Sequence, residues 1–563
     1  MNGSATQDIP LREAASLSAY AARAWVAVGA LVVIWFSLAA GRPLTQPDEG
    51  RYAEIPREML LSDDWVTPRL NDLVYLEKPP LQYWATAISY RLLGRSEWSA
   101  RLWPVLCAAL NVVMVFLLGR RLWNVQTGLI AAALLGSMVL HFVMGQLLTL
   151  DMAFACALTA MLCSFCMAQL TRDSDVRASG RWMLTSWVML GVATLTKGLA
   201  APLMGGSVVL LYVLLQRDWA AWSTLRPIAG LAVFALIVVP WFVLVARANR
   251  DFLEFFFIRE HFLRYTTDSA QRLAPWWYFL AILGVGVMPW IWQTFGALFR
   301  EWRAHEPRGQ FDVRRLLWLW CVFVFVFFSL SGSKLAPYIL PMFPALALLT
   351  AAREASGSGE RLHYGLWILF AGALACVGYV MFAPSKADDP VVRAVIQGAQ
   401  PAAWMLVLIA ALTALLFSRA SRRGEPVYAI TSLAAGWFVA LTVLITAIGH
   451  HGSLRSGRDL AARIPADLAA HVPIYSVQTY DQTLPFYLGR TLILVDSRGE
   501  LDFGLQQEPD KGISDMLVFE QRWRDSAQAL AIMSPRSYAE LTARELPMRL
   551  IGRDRRRVVV SRQ

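Results

Sequence analysis

Apolar runs of roughly 17 to 25 residues recur along this chain, separated by short basic segments, and that spacing leaves few folds open. A run of that length crosses the hydrocarbon of a bilayer as an α-helix, the one single-segment structure that satisfies its own backbone N–H and C=O groups. About thirteen such runs can be counted, beginning near residues 24, 101, 127, 149, 183, 199, 228, 275, 314, 335, 363, 402 and 427. Hydrophobic residues make up 56% of the 563 positions and charged residues only 17%, well away from the soluble norm. The expected fold class is an all-α polytopic membrane protein. The first run, Ala24 to Gly41, is longer than a signal-peptide core and reads as a retained helix.

The formal net charge of +11 suggests nucleic acid only if the chain is soluble. Here the basic residues gather between spans, so no nucleic-acid partner is expected and positive-inside topology accounts for them. With a cytoplasmic N-terminus, the inner loops hold seventeen arginines: 120, 121, 172, 177, 181, 217, 226, 300, 303, 308, 314, 315, 353, 361, 419, 422 and 423. The short outer connections hold only Lys197, Lys334, Lys386 and Arg393. An odd number of helices then puts the C-terminus outside. The 23 Trp and 16 Tyr suit interfacial belts. All six cysteines lie within apolar runs and read as small buried hydrophobes; Cys163 and Cys166 form a C-x-x-C with no redox unit around it.

Three regions break the rhythm of span and loop, and all three fall on the outer side: the loops 42–100 and 247–274, and the tail from about 450. The segment Leu81 to Leu93 is amphipathic, aromatic and too short to span, which suits a helix lying at the interface. In the tail, short β-type runs at 473–477, 491–495 and 556–560 alternate with helical stretches. The expected division is a membrane domain over 1–449 and a small soluble α/β domain over 450–563.

Chemistry-bearing residues concentrate at the outer ends of the spans. Asp48 and Glu49 follow Pro47 just past the first span, and Asp151 opens the fourth. As structural residues they cap helices; as a group, boundary carboxylates are candidates for a base, a sugar clamp or ligands of a divalent cation. Lys78 precedes two prolines that hold its segment extended. It shares its side of the membrane with Lys197, Lys334 and the cluster Arg259-Glu260-His261-Phe262-Leu263-Arg264, in which His261 and Arg264 share a helix face. Cations converging on an outward-opening cavity point to a phosphate. Lys197-Gly198 and Lys334-Leu335-Ala336-Pro337 each break an apolar stretch at a lysine.

Taken in order over roughly residues 24–350, these motifs resemble the bacterial GT-C glycosyltransferases that transfer aminoarabinose to lipid A, distant relatives of protein O-mannosyltransferases. The match rests on Asp48-Glu49 with Arg51-Tyr52, Glu77-Lys78-Pro79-Pro80-Leu81, Leu150-Asp151, Lys197-Gly198, Glu260-His261 with Arg264, and Ser333-Lys334-Leu335 with Pro337-Tyr338 and Leu340-Pro341. Leu199 stands where many relatives have proline, a departure that bears on the local helix break.

The resemblance implies a GT-C fold, about thirteen membrane helices and a periplasmic C-terminal domain, in a multi-pass protein of the inner membrane. It implies an undecaprenyl-phosphate-linked sugar as donor, 4-amino-4-deoxy-L-arabinose or a similar one. The implied acceptor is a phosphate of lipid A, and transfer inverts the anomeric centre; the family's products alter lipopolysaccharide charge and polymyxin resistance. Asp48 takes the family's catalytic position, with Asp151 as second acid. Lys78, Arg264, Lys197 and Tyr338 match positions lining the polyprenyl phosphate and sugar, with Glu77, His261, Arg51 and Tyr75 beside them. No cofactor is required by the spacing, a divalent cation is an open alternative, and the chain is expected to act as a monomer among membrane lipids. A lipid or sugar transporter is the competing class, and it ordinarily carries paired halves that this chain does not show.

Overall fold

The computed structural model describes residues 29, 33–263, 274–303, 306–355, 361–386, 390–451, 455–465, 471–497 and 499–562. Among them, eight helices are long and apolar enough to cross a membrane: Glu97–Leu122, Asp151–Thr171, Pro227–Ala248, Val313–Leu330, Ala336–Glu354, Leu362–Ser385, Ile396–Arg422 and Pro426–Gly449. A ninth is counted if Tyr278–Gly286 and Ile291–Arg300, which meet at 120°, form one broken span. The expected thirteen is therefore not reached by length and apolarity. The run near 127 stops as Val125–Ser137 because Met138 is extended, and resumes as the short helix Val139–Met144. The run near 199 gives only the 17-residue helix Ala200–Gln216. Of the first run, residues 24–28 and 30–32 lie outside the described residues.

Polar residues set the helix ends. Ser96 and Ser99 form a reciprocal capping box before Glu97–Leu122, and Asn124, Asp175 and Asp312 each accept a backbone N–H at the helix start that follows. Val176–Lys197 packs antiparallel along Asp151–Thr171 and ends at Gly198, whose φ of +72° suits only a residue without a Cβ. Inside the bundle, Trp290 donates to the Ser137 hydroxyl at 2.9 Å and Trp320 to the Pro341 carbonyl at 2.9 Å, so these two buried indole N–H groups are satisfied. All six cysteines are free thiols within the helices, as the sequence suggests.

One end of the bundle carries a polar cap made of the three regions that break the rhythm. Asp48–Ser62 and Leu81–Leu93 are helices, joined by a two-stranded hairpin of β1 (Arg69–Leu70) and β2 (Leu73–Val74) whose turn residues Asn71 and Asp72 both have positive φ. Leu81–Leu93 buries Tyr83, Thr86, Ala87 and Tyr90 and exposes Ile88, Leu92 and Leu93, the pattern of an interfacial helix. The Glu58 carboxylate accepts from the backbone N–H of Asn71 at 2.6 Å and of Asp72 at 2.7 Å, which pins the turn.

The tail folds into a six-stranded mixed sheet, β5 (Gly512–Ile513), β4 (Ile493–Val495), β3 (Ile474–Val477), β6 (Ala529–Met533), β8 (Val558–Arg562) and β7 (Arg549–Arg553) in that order. Strands β5, β4, β3 and β6 run parallel; β8 and β7 close one edge antiparallel. Crossover helices such as Met516–Asp525, which buries Phe519 and Trp523 against Tyr475, make this an α/β unit. It is seated on the cap. Asn71 pairs both ways with the Leu492 backbone at 2.8 Å, Arg57 donates to the Gly489 carbonyl at 3.0 Å, and Phe503 stacks on Phe255 at 4.0 Å.

Candidate active site

Pro47 occupies the N-cap position of the helix Asp48–Ser62, so Asp48 and Glu49 fall in its first turn and neither caps it. The two adjacent acids have opposite environments. Asp48 keeps 52% of its side chain exposed, whereas Glu49 is buried against Arg101 of the helix Glu97–Leu122. Arg101 donates to Glu49 at 2.7 and 2.9 Å, and the backbone N–H groups of Thr45 at 3.0 Å and Leu148 at 3.1 Å add to the same carboxylate. Burial pulls the Glu49 carboxyl upward, but the Arg101 charge and these donors win and hold it down at about 2. Glu49 is thereby a joint: it fastens the Asp48 segment to the residues that lead into Asp151.

Asp48 itself is met by Arg51 at 3.3 Å, one turn along the helix. Arg51 also pairs with Glu500 of the C-terminal domain and lies over the Tyr75 ring at 5.7 Å. Glu77 lies within the field that acts on both Arg51 and Tyr75, which places the four side chains in one neighbourhood. Tyr52 stacks on Tyr83 at 5.9 Å and feels the charges of both Asp48 and Asp151. Burial pushes the phenols of Tyr75 and Tyr83 up, so both keep their protons at neutral pH. Neither hydroxyl has a hydrogen-bond partner among the described residues, and Arg51 Nε has none either. Buried donors left open in this way are what a polar ligand would satisfy.

Asp151 starts its helix and Lys197 ends the antiparallel neighbour, so the two side chains meet at the same end, with Nζ 2.5 Å from Oδ1. The Lys197 ammonium also lies over the rings of Tyr338 at 4.6 Å and Phe154 at 5.3 Å. Tyr338 is carried there by the 3-10 helix Ala336–Met342 that follows the break at Lys334, while Lys334 itself donates to the Ser331 carbonyl at 3.0 Å.

Lys78 pairs with Glu260 at 3.0 Å and donates to the Glu77 carbonyl at 2.9 Å, so its acidic partner is not the adjacent Glu77 side chain. Glu260 reaches it from the π-helical segment Glu254–Leu263. Val74, Leu76, Leu195, Trp241, Phe252 and Phe256 form the apolar cluster that lays the Lys78 segment, the end of the Lys197 helix and the Glu260 segment against one another. Of the expected site residues, Arg264 and the His261 side chain lie outside the described residues. Among the described residues no three His, Cys, Asp or Glu side chains gather as a metal-holding group.

Sequence reasoning named Glu260 only as part of a motif, and it passed over Glu500, Tyr83 and the Glu49–Arg101 pair. Glu500 sits in a tail with no acidic motif. Arg101 looks like an ordinary interfacial arginine until the fold buries it.

Two known families match separate parts of the chain: residues 29–256 match the dolichyl-phosphate-mannose-protein mannosyltransferases, and residues 460–562 match the aminoarabinose transferase C-terminal domain. Among curated relatives, the undecaprenyl phosphate-alpha-4-amino-4-deoxy-L-arabinose arabinosyl transferase of Pectobacterium atrosepticum is 32% identical over 493 residues, 83% of each chain. The protein of the same name from Edwardsiella ictaluri is 36% identical over 338 residues, and that stretch spans only 60% of its length. Among solved structures, ArnT from Cupriavidus metallidurans bound to undecaprenyl phosphate superposes with a TM-score of 0.87 at 34% identity, covering 96% of this chain and 98% of that one. Its apo form gives 0.85. The membrane bundle, the polar cap and the α/β tail thus recur together as one unit, and the chain belongs to the ArnT-like family of GT-C glycosyltransferases.

Proposed function

We propose that this protein transfers 4-amino-4-deoxy-L-arabinose, or a closely similar sugar, from an undecaprenyl-phosphate donor to a phosphate of lipid A. The reaction takes place on the periplasmic face of the inner membrane, with the N-terminus cytoplasmic and the domain from about residue 450 periplasmic. The observation that carries this reading is the cap itself. It brings Asp48, Asp151, Lys78 and Lys197 to one end of an apolar bundle, in the fold of a relative whose structure holds undecaprenyl phosphate. The bias of seventeen arginines toward the opposite loops supports the orientation.

In the transfer, the bond between the anomeric carbon and the donor phosphate oxygen breaks, and a lipid A phosphate oxygen attacks from the opposite face with inversion. The leaving group is undecaprenyl phosphate. Lys78 is the residue for its developing charge, and the phosphate competes with the Glu260 carboxylate for the same ammonium. Arg264 is the second cation assigned to that phosphate. The attacking phosphate oxygen is already anionic, so little is gained by removing a proton from it. Asp48, exposed and oriented by Arg51, serves instead to place the acceptor and to stabilise positive charge growing on the sugar. Lys197, Tyr338, Tyr75 and Tyr83 frame the sugar, and Asp151 holds Lys197 in place.

The test is transfer by purified protein in proteoliposomes supplied with the polyprenyl-linked sugar and lipid A. A lipid A mass increased by one sugar residue is expected. Movement of donor between leaflets with lipid A unchanged points to a transporter and sinks the reading.

A further inference from the structure

Between the Asp48 segment and the C-terminal domain lies a cleft of ≈ 710 Å³ lined by none of the residues assigned to the donor but by Gln46, Pro47, Tyr480, Gln482 and three arginines, 455, 555 and 556. All three arginines are exposed, and among the described residues none pairs with a carboxylate. Arg556 instead meets the side-chain amide of Gln46. Their supports are rigid. Arg557, beside them in the β7–β8 turn, is buried in ion pairs with Asp481 and Asp554 and donates to the Ser456 carbonyl at 2.7 Å. The backbone of Arg455 accepts the Gln46 N–H at 3.1 Å. A Cβ on Gly50 would lie 2.5 Å from the Gln482 carbonyl carbon, so the catalytic helix abuts the cleft wall with no room to spare.

Two further observations bear on what the cleft takes. The Tyr480 hydroxyl is buried and has no hydrogen-bond partner among the described residues. Gln482 donates to Glu500 at 2.6 Å, and Glu500 pairs with the same Arg51 that meets Asp48, so a hydrogen-bonded chain runs from the cleft to Asp48. Along the irregular segment 42–47, Arg42, Pro43 and Thr45 line a largely apolar pocket of ≈ 240 Å³ with Leu441, Leu444 and Ile448 of the last membrane helix. One short irregular segment thus lines both a largely apolar pocket and a basic cleft, and it leads into Asp48.

We propose that the Arg455–Arg555–Arg556 cleft docks a phosphate of the acceptor glycolipid, with part of its hydrocarbon against the apolar pocket. The proposal deepens the reading above and rests on it for the identity of the acceptor. Guanidinium groups without a carboxylate partner, on a fixed scaffold, select phosphate over neutral headgroups. Binding there places the acceptor one residue from Asp48.

The full-length triple variant Arg455→Ala/Arg555→Ala/Arg556→Ala, reconstituted in phosphatidylcholine nanodiscs, tests this by direct binding of labelled lipid A, with no turnover needed. Binding weaker by at least about tenfold, restored in part by the triple lysine variant, is expected, with the melting temperature unchanged. In the transfer assay the acceptor KM rises by a similar factor while the donor KM stays put. Wild-type binding of lipid A that survives the triple substitution overturns the cleft. Displacement of lipid A by inorganic phosphate as effective as by dephosphorylation of the lipid also overturns it, because it marks a site for free anions. Tight, arginine-dependent binding without sugar transfer leaves the cleft standing and removes the proposed reaction.

Discussion

Glu49 and Arg101 form a fully buried ion pair, with the guanidinium donating twice to the carboxylate at 2.7 and 2.9 Å. The Leu148 N–H completes the shell at 3.1 Å, so the pair ties the first polar loop to the chain that enters the Asp151 helix. Removing one partner leaves a buried charge uncompensated. Glu49→Ala is expected to cost about 3–5 kcal/mol of stability, seen as a large drop in thermal unfolding temperature in detergent. Glu49→Ala/Arg101→Met, which removes both charges, is expected to recover a substantial part.

The same pair sets a pH dependence. The Glu49 carboxyl lies at about 2 in the folded protein against an ordinary 4.5. A depressed carboxyl contributes stability that is fully present above its unfolded value and is lost as pH falls through the folded one. Unfolding temperature should therefore decline as pH drops from about 4.5 toward about 2, and Glu49→Gln should flatten the part of that decline due to this group. An unchanged profile in the variant counts against the assignment.

Asp48→Asn removes charge and keeps shape at an exposed position, so folding and membrane insertion should be unaffected. Sugar transfer is expected to fall on the order of 10²-fold or more, as for loss of a charge that acts on the transition state. Lys78→Ala should fall comparably through loss of leaving-group stabilisation. Wild-type turnover by purified Asp48→Asn protein would falsify its role.

Lys197 and Asp151 are coupled by geometry, at 2.5 Å with Tyr338 over the ammonium. Asp151→Ala alone should destabilise by about 3 kcal/mol, whereas the double variant with Lys197→Met should fall short of the sum of the two single changes. Tyr338→Phe keeps a ring for the cation and should retain most stability; Tyr338→Leu should not. A double-mutant cycle on unfolding free energy measures all of these.

Asn71 holds the C-terminal domain to the hairpin by two hydrogen bonds to Leu492. Asn71→Ala leaves both Leu492 backbone groups unpaired at a buried interface, about 1–3 kcal/mol for each. Faster release of the tail by limited proteolysis, with the membrane bundle intact, is the expected result.

The sequence by itself determined that this is a multi-pass helical membrane protein, because bilayer thickness and backbone hydrogen bonding allow little else for runs of this length, but it did not determine the number of spans. It also marked candidate side chains, since Asp48, Asp151, Lys78 and Lys197 stand at apolar boundaries where packing alone gives them no place, and the fold gathers them at one end of the bundle. Even the β-runs of the tail were readable from their alternation, and β3, β4 and β8 form there. Partnership was not readable. Lys78 pairs with Glu260, 182 positions away, and Arg51 with Glu500, 449 positions away, and no local pattern encodes contacts at that separation. Nor does spacing distinguish Asp48 from Glu49: one turn of backbone exposes the first and buries the second against Arg101. Only the packed cap decides which of two neighbouring carboxylates stays exposed and which is buried in an ion pair, because burial and the charges nearby are properties of the assembled fold.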